Sequence, residues 1–182
     1  PYQGSRTQQL SAVDLLKQAE KKLDTTLAGR SGARIELTNM IGESLLALGD
    51  VAAAETVMAR AVAEATPTLG PTHAQTQRAW MIQAQVHRQR GRPQQARDNL
   101  ESVLPALRGA GPAGAGVLAM ALMDRALAAV DLGAYAEAER FARESVELAT
   151  AHLGERDPQQ AGSAATLALV YFHLTQFDVA RD

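Results

Sequence analysis

The sequence predicts an all-α solenoid of stacked antiparallel helix pairs, and three observations predict it. The octets LGDVAAAE (48–55), RGRPQQAR (90–97), LGAYAEAE (132–139) and LTQFDVAR (174–181) follow one another at 42-residue intervals. An internal period of this length marks stacked supersecondary units. Gly49, Gly91 and Gly133 share one column of that register, with Thr175 as the departure. Finally, 46% of the residues are hydrophobic but only 4% aromatic. Alanine, the best helix former, supplies much of that count, and no alternating β-branched run argues for a sheet.

The elements follow in order. An amphipathic helix spans about 11–27, with Ala12, Leu16, Ala19, Leu23 and Leu27 on one face. Leu27, Leu69 and Leu153 are equivalent, so this helix is the second of a preceding partial repeat at about 10–28. First helices are expected at about 33–48, 73–90, 115–132 and 158–174. Second helices are expected at about 51–65, 93–108 and 135–152, and another begins near 177. Leu37, Ile41, Leu45 and Leu48 show the helical spacing of a first helix. The glycine column ends each first helix, because glycine tolerates the left-handed conformation that closes a C-terminus. Pro93 fits a first turn, whereas Pro105 should kink or end its helix early. Ala54, Ala96, Ala138 and Ala180 mark where helices cross closely.

The organisation is therefore one array over 1–182, with repeats at 33–68, 73–110 and 115–153 and an incomplete one at 158–182. The glycine-rich linker 109–116 is expected to be its most mobile point. The chain opens at Pro1-Tyr2 without methionine and stops at Asp182 inside a repeat, which suggests a piece of something longer.

Net charge is −2, from 18 basic and 20 acidic residues of scattered sign, so nucleic-acid binding is not indicated. The absence of cysteine excludes disulfides and thiolate metal sites. No apolar run approaches the roughly 18–20 residues of a membrane span, and no signal peptide is visible. A cytoplasmic protein without membrane contact is the resulting expectation.

The register resembles the tetratricopeptide repeat in its longer, kinesin-light-chain-like form. The family's large–small–large pattern reads as Ile41-Gly42 followed by Leu45, and as Leu167-Ala168 followed by Tyr171. Trp80 lies four before the small residue Ala84, and the inter-repeat loop is matched by Leu69-Gly70-Pro71-Thr72-His73 and by Leu153-Gly154-Glu155-Arg156-Asp157-Pro158. Gln83 and Arg125 replace the large residue in the middle repeats, which should pack differently there. The resemblance implies a right-handed superhelical solenoid and no bound cofactor.

Candidate chemistry is sparse. The GAGPAG run at 109–114 formally matches a dinucleotide loop, but a helix precedes it and no βαβ unit surrounds it, so it reads as a linker. His73, His87, His152 and His173 form no ligand pair; His73 fits a loop cap. No nucleophile elbow is visible, and catalysis within this fragment is not expected.

The resemblance implies a concave groove lined by the first helices. Carried over by register, its residues are Glu36, Asn39 and Glu43, then Arg78, Met81, Gln85 and Arg88, then Met123, Leu127 and Val130, and finally Leu169 and Phe172. Leu46, Met120 and Ala165 extend the rows. Asn39 stands where kinesin-light-chain-like repeats place an asparagine that can bond a peptide backbone. The groove should grade from polar to apolar along the chain, suiting an amphipathic helix or an extended segment with an apolar anchor. A helical stripe alone does not separate groove from core for Met123, Leu127, Val130, Leu169 and Phe172.

The expected function is protein–protein interaction through that groove. Two alternatives stand beside it. One is self-association through exposed solenoid ends, where Val179 and Ala180 lie. The other is a regulatory C-terminal region of a larger bacterial signalling enzyme such as a serine/threonine kinase, as the family resemblance allows.

Overall fold

A computed structural model describes residues 11–154 and 156–181, with side chains up to Thr175. Val179 and Ala180 therefore lie outside the side chains described. Among the described residues there are eight α-helices: α1 (Ala12–Thr26), α2 (Ser31–Ala47), α3 (Val51–Leu69), α4 (Ala74–Gln89), α5 (Pro93–Gly109), α6 (Ala115–Asp131), α7 (Tyr135–His152) and α8 (Pro158–Arg181). The helices α2, α4, α6 and α8 are first helices; α1, α3, α5 and α7 are second helices.

The same turn ends α2, α4 and α6. Gly49, Gly91 and Gly133 take φ of +82°, +69° and +72°. The next residue's N–H then reaches back five positions, Asp50 to Leu45, Arg92 to His87 and Ala134 to Ala129, at 2.9–3.0 Å. This satisfies carbonyls that a helix end would otherwise leave unpaired. Thr175 lacks that conformational freedom, and the turn expected near 175–177 is absent: α8 continues to Arg181.

Pro105 does not end its helix either, since α5 runs to Gly109 around it. An interior proline removes one donor, but the apolar face on both sides stays buried through Val103, Leu104 and Leu107. Pro67 is likewise inside α3, which extends to Leu69, beyond the expected end near 65. The glycine-rich linker folds into a single 3-10 turn, Pro112–Gly114, closed by the Gly114 N–H on the Gly111 carbonyl at 3.0 Å. His73 caps α4 by accepting from the Gln75 N–H at 3.2 Å.

Each pair closes on small residues. Ala54, Ala96 and Ala138 are fully buried. Gly42 lies so close to Met58 that a Cβ would collide with its side chain. Two core clusters result. One joins α1 to α4 around Leu45, Met58 and Val86; the other runs from Met81 through Leu100 and Leu122 to Val170.

The stretch 112–131 is long and apolar enough to cross a bilayer by length and composition alone, a feature the run-by-run reading of the sequence missed. In the fold it forms α6, packed between α5, α7, α4 and α8, with just over half of that window buried. Its hydrophobicity serves the core here.

Candidate functional site

First helices pack along a row, α2 on α4, α4 on α6 and α6 on α8, whereas successive second helices are held further apart. The row therefore curves with the first helices on its inner face. Within that face α4, α6 and the turn before α6 leave a cavity of about 410 Å³.

Its walls come from three places. Met81, Ile82 and Gln85 project from α4; Val117 and Met120 come from the first turns of α6; Leu107 closes the end of α5. Arg78 and Glu43 stand at the rim, joined by an ion pair between exposed side chains. An apolar floor under a polar rim is the usual form of a site that takes an apolar group while fixing its orientation. The Gln85 amide is itself held, donating to the Asp124 carboxylate at 2.8 Å. Asp124 is buried, and desolvation pushes its pKa up to about 6 against the opposing effects of Gln85 and the Arg88 charge.

The structure brings Glu43, Arg78, Met81, Gln85 and Met120 together around this cavity and distributes the other sequence candidates elsewhere. Glu36 is exposed on α2. Asn39 is fully buried, and its amide donates to the Gln75 carbonyl at 2.9 Å and side chain at 3.0 Å. In this structure it ties α2 to α4. Arg88 pairs with Asp131 at 2.7 Å. Met123 approaches Gly162 of α8, Val130 packs on the second core cluster, and Leu127 is half-buried. Leu169 and Phe172 are 41% and 57% exposed at the far end of the row.

Leu107 and Val117 were not legible as site residues. They flank the turn 109–116, where the family's loop pattern lapses, and the 42-residue register pairs them with Ala65 and Gln75, which lie outside the groove rows. The only available signal was the length of that apolar stretch. Among the described residues no group of three or more His, Cys, Asp or Glu could hold a metal ion.

Comparison with known proteins gives a consistent result. Tetratricopeptide repeat family models match residues 34–109 and 118–159. No curated protein matches the chain. Similar solved structures include the nearly identical TPR-like repeats of a kinesin light chain candidate from Podosopora anserina, in a singly substituted form and without that substitution. Both are 22% identical over 93% of this chain and 80% of theirs, with TM-scores of 0.71 and 0.69. BtubC (BKLC) from P. vanneervenii is 18% identical over 93% of this chain and 67% of its own, with a TM-score of 0.70. At these identities the likeness speaks to the fold. With its 42-residue period, its glycine-closed turns and its small-residue crossings, this chain is an all-α, right-handed superhelical solenoid belonging to the tetratricopeptide repeat family.

Proposed function

We propose that this chain binds a segment of a partner protein along the inner face, with one bulky apolar side chain seated in the α4–α6 cavity. Repeats of this family generally mediate protein–protein interaction, and the fold is typically non-catalytic. The observation that carries the finer reading is the cavity itself. Met81, Ile82, Leu107, Val117 and Met120 give it an apolar lining, and methionines adapt to varied apolar shapes. Val117 is 43% exposed at its wall, so the apolar surface is open to an incoming group.

The rim favours an extended or helical segment over a free hydrocarbon. Arg78, Glu43 and Gln85 offer one cation, one anion and one amide around an apolar floor. A peptide with an aromatic or long aliphatic anchor and polar neighbours of both signs matches that arrangement.

A displayed library of random dodecapeptides tests the reading. Selected peptides should be enriched in a single large apolar residue, and the Val117→Asp variant should lose them while keeping its helicity. Peptides that bind the variant as tightly as the parent chain would place recognition outside the cavity.

A further inference from the structure

Asp124 departs from its column. Its equivalents one period before and one period after are Ile82 and Thr166, both buried. Ile82 belongs to the apolar core, and the Thr166 hydroxyl donates within its own helix to the Gly162 carbonyl at 3.0 Å. Asp124 instead puts a carboxyl group, only 3% exposed, on the side of α6 that meets α4. Burial raises its pKa to about 6, so keeping it ionised costs the fold stability. A buried acid held at such a cost beside a cavity is the pattern of a functional group.

Among the described residues, the one hydrogen bond of Asp124 goes to the cavity wall. The Gln85 side-chain nitrogen donates to it at 2.8 Å, and Gln85 lines the cavity one helical turn beyond Met81. An amide donates from its nitrogen and accepts at its oxygen, whereas an ionised carboxylate only accepts. Ionised Asp124 therefore admits one orientation of the Gln85 amide, nitrogen toward α6, and leaves Oε1 over. That oxygen accepts no hydrogen bond among the described residues. Other lining groups are already engaged: both Gln75 oxygens accept from Asn39, and Glu43 is paired with Arg78.

We propose that Asp124 is a positioning residue for the cavity: by holding the Gln85 nitrogen it turns the Gln85 oxygen toward the occupant, and so selects a partner segment whose apolar anchor ends in a hydrogen-bond donor. The proposal rests on the cavity being the binding site. An anchor tipped with O–H or N–H gives Oε1 its missing donor. An anchor ending in an acceptor alone sets two oxygens face to face, and a wholly apolar one leaves Oε1 desolvated and unpaired. Sites built to bond a polar tip reject analogues lacking it for this reason. Asp124→Asn removes the selection, because an asparagine amide both donates and accepts and lets Gln85 present either end.

The test uses two small probes of similar shape, para-cresol, which donates, and its methyl ether, which only accepts. Both are titrated into the 182-residue chain by NMR at about pH 7.5, where Asp124 is ionised. The ratio of the two affinities should favour the phenol by about two- to tenfold more in the parent chain than in Asp124→Asn or Gln85→Met, the span of one hydrogen bond. Val117→Asp should lose both probes. If Asp124→Asn loses helicity, Gln85→Met carries the comparison. An unchanged ratio, with both probes still lost from Val117→Asp, overturns the role of Asp124 and leaves the cavity as the binding site. Binding of both probes to Val117→Asp as to the parent, or of neither probe to the parent, overturns the proposal together with the reading it rests on.

Discussion

The guanidinium of Arg125 lies 4.7 Å from the centre of the Phe141 ring. One of its nitrogens is shared between Glu101 at 3.0 Å and Glu137 at 2.6 Å. Arg125 is almost wholly buried, in the column that Ile41 and Leu167 fill with apolar side chains. The middle repeats thus replace one packing contact with a polar one. The preceding repeat does the same, with the Asn99 amide donating to the Gln83 side chain at 2.9 Å.

Burial of a cation is favourable only when its donors are all engaged, and Nε and Nη1 of Arg125 have no hydrogen-bond partner among the described residues. Arg125→Met should therefore leave stability unchanged or raise it by about 1–4 kcal/mol, the range seen when a buried ionic group gives way to an apolar one. Arg125→Ala should lower it by about 2–5 kcal/mol through the cavity left behind. Urea unfolding of both variants checks this. A methionine variant as unstable as the alanine one would show that the ion pairs themselves hold α6 to α5 and α7.

Asp124 makes stability depend on pH. Its pKa in the fold, about 6, lies above the ordinary aspartate value because burial disfavours the charged form. Below about pH 4 the carboxyl is protonated in both states and contributes its full stabilising effect. Between about pH 4 and pH 6 the unfolded chain loses the proton first, so stability falls, by about 3 kcal/mol in all. Asp124→Asn should therefore stabilise the chain by about 1–3 kcal/mol at pH 7.5 and change little at pH 4. Unfolding midpoints across this range read the difference directly.

Much of the fold was legible in the sequence because the repeat states each rule several times. Gly49, Gly91 and Gly133 announced one turn three times, and Ala54, Ala96 and Ala138 one crossing. Where a rule was stated once, the reading was weaker. Thr175 was expected to mark a turn because its register demanded one, but without a residue suited to positive φ the helix runs on. Pro105 was expected to break a helix that tertiary burial of its neighbours sustains. For the site, register located Arg78, Met81 and Gln85 but not Leu107 or Val117, which approach only because a 3-10 turn folds α5 onto α6. Nor could spacing show that Asn39 faces α4, because burial depends on the neighbouring repeat.

Two glycines of α2 should respond oppositely to substitution. Gly32 has nothing near its would-be Cβ, so Gly32→Ala should stabilise by about 0.5–1 kcal/mol through helix propensity. At Gly42 the added atom meets the buried Met58 side chain. Gly42→Leu should destabilise by at least about 1–3 kcal/mol, because overpacking forces Met58 out of its rotamer and α2 away from α3. Denaturant midpoints separate the two. Equal effects at both positions would mean that the α2–α3 contact yields freely.

Asn39 joins two repeats through one amide group. Its nitrogen donates to both the carbonyl and the side chain of Gln75, while its oxygen is buried without a partner. Replacing Asn39 with alanine removes both bonds and leaves the Gln75 groups to find water at a half-buried position. The expected loss is about 1–3 kcal/mol of stability, the range for breaking a buried hydrogen bond on one side. Because the contact links α2 to α4, the loss should also appear as faster amide exchange in α2 and in the first turn of α4. If Asn39→Ala leaves both stability and exchange unchanged but weakens binding of a selected peptide, the amide turns outward on binding and serves the ligand. A loss of stability with peptide affinity retained assigns it to the joint between repeats.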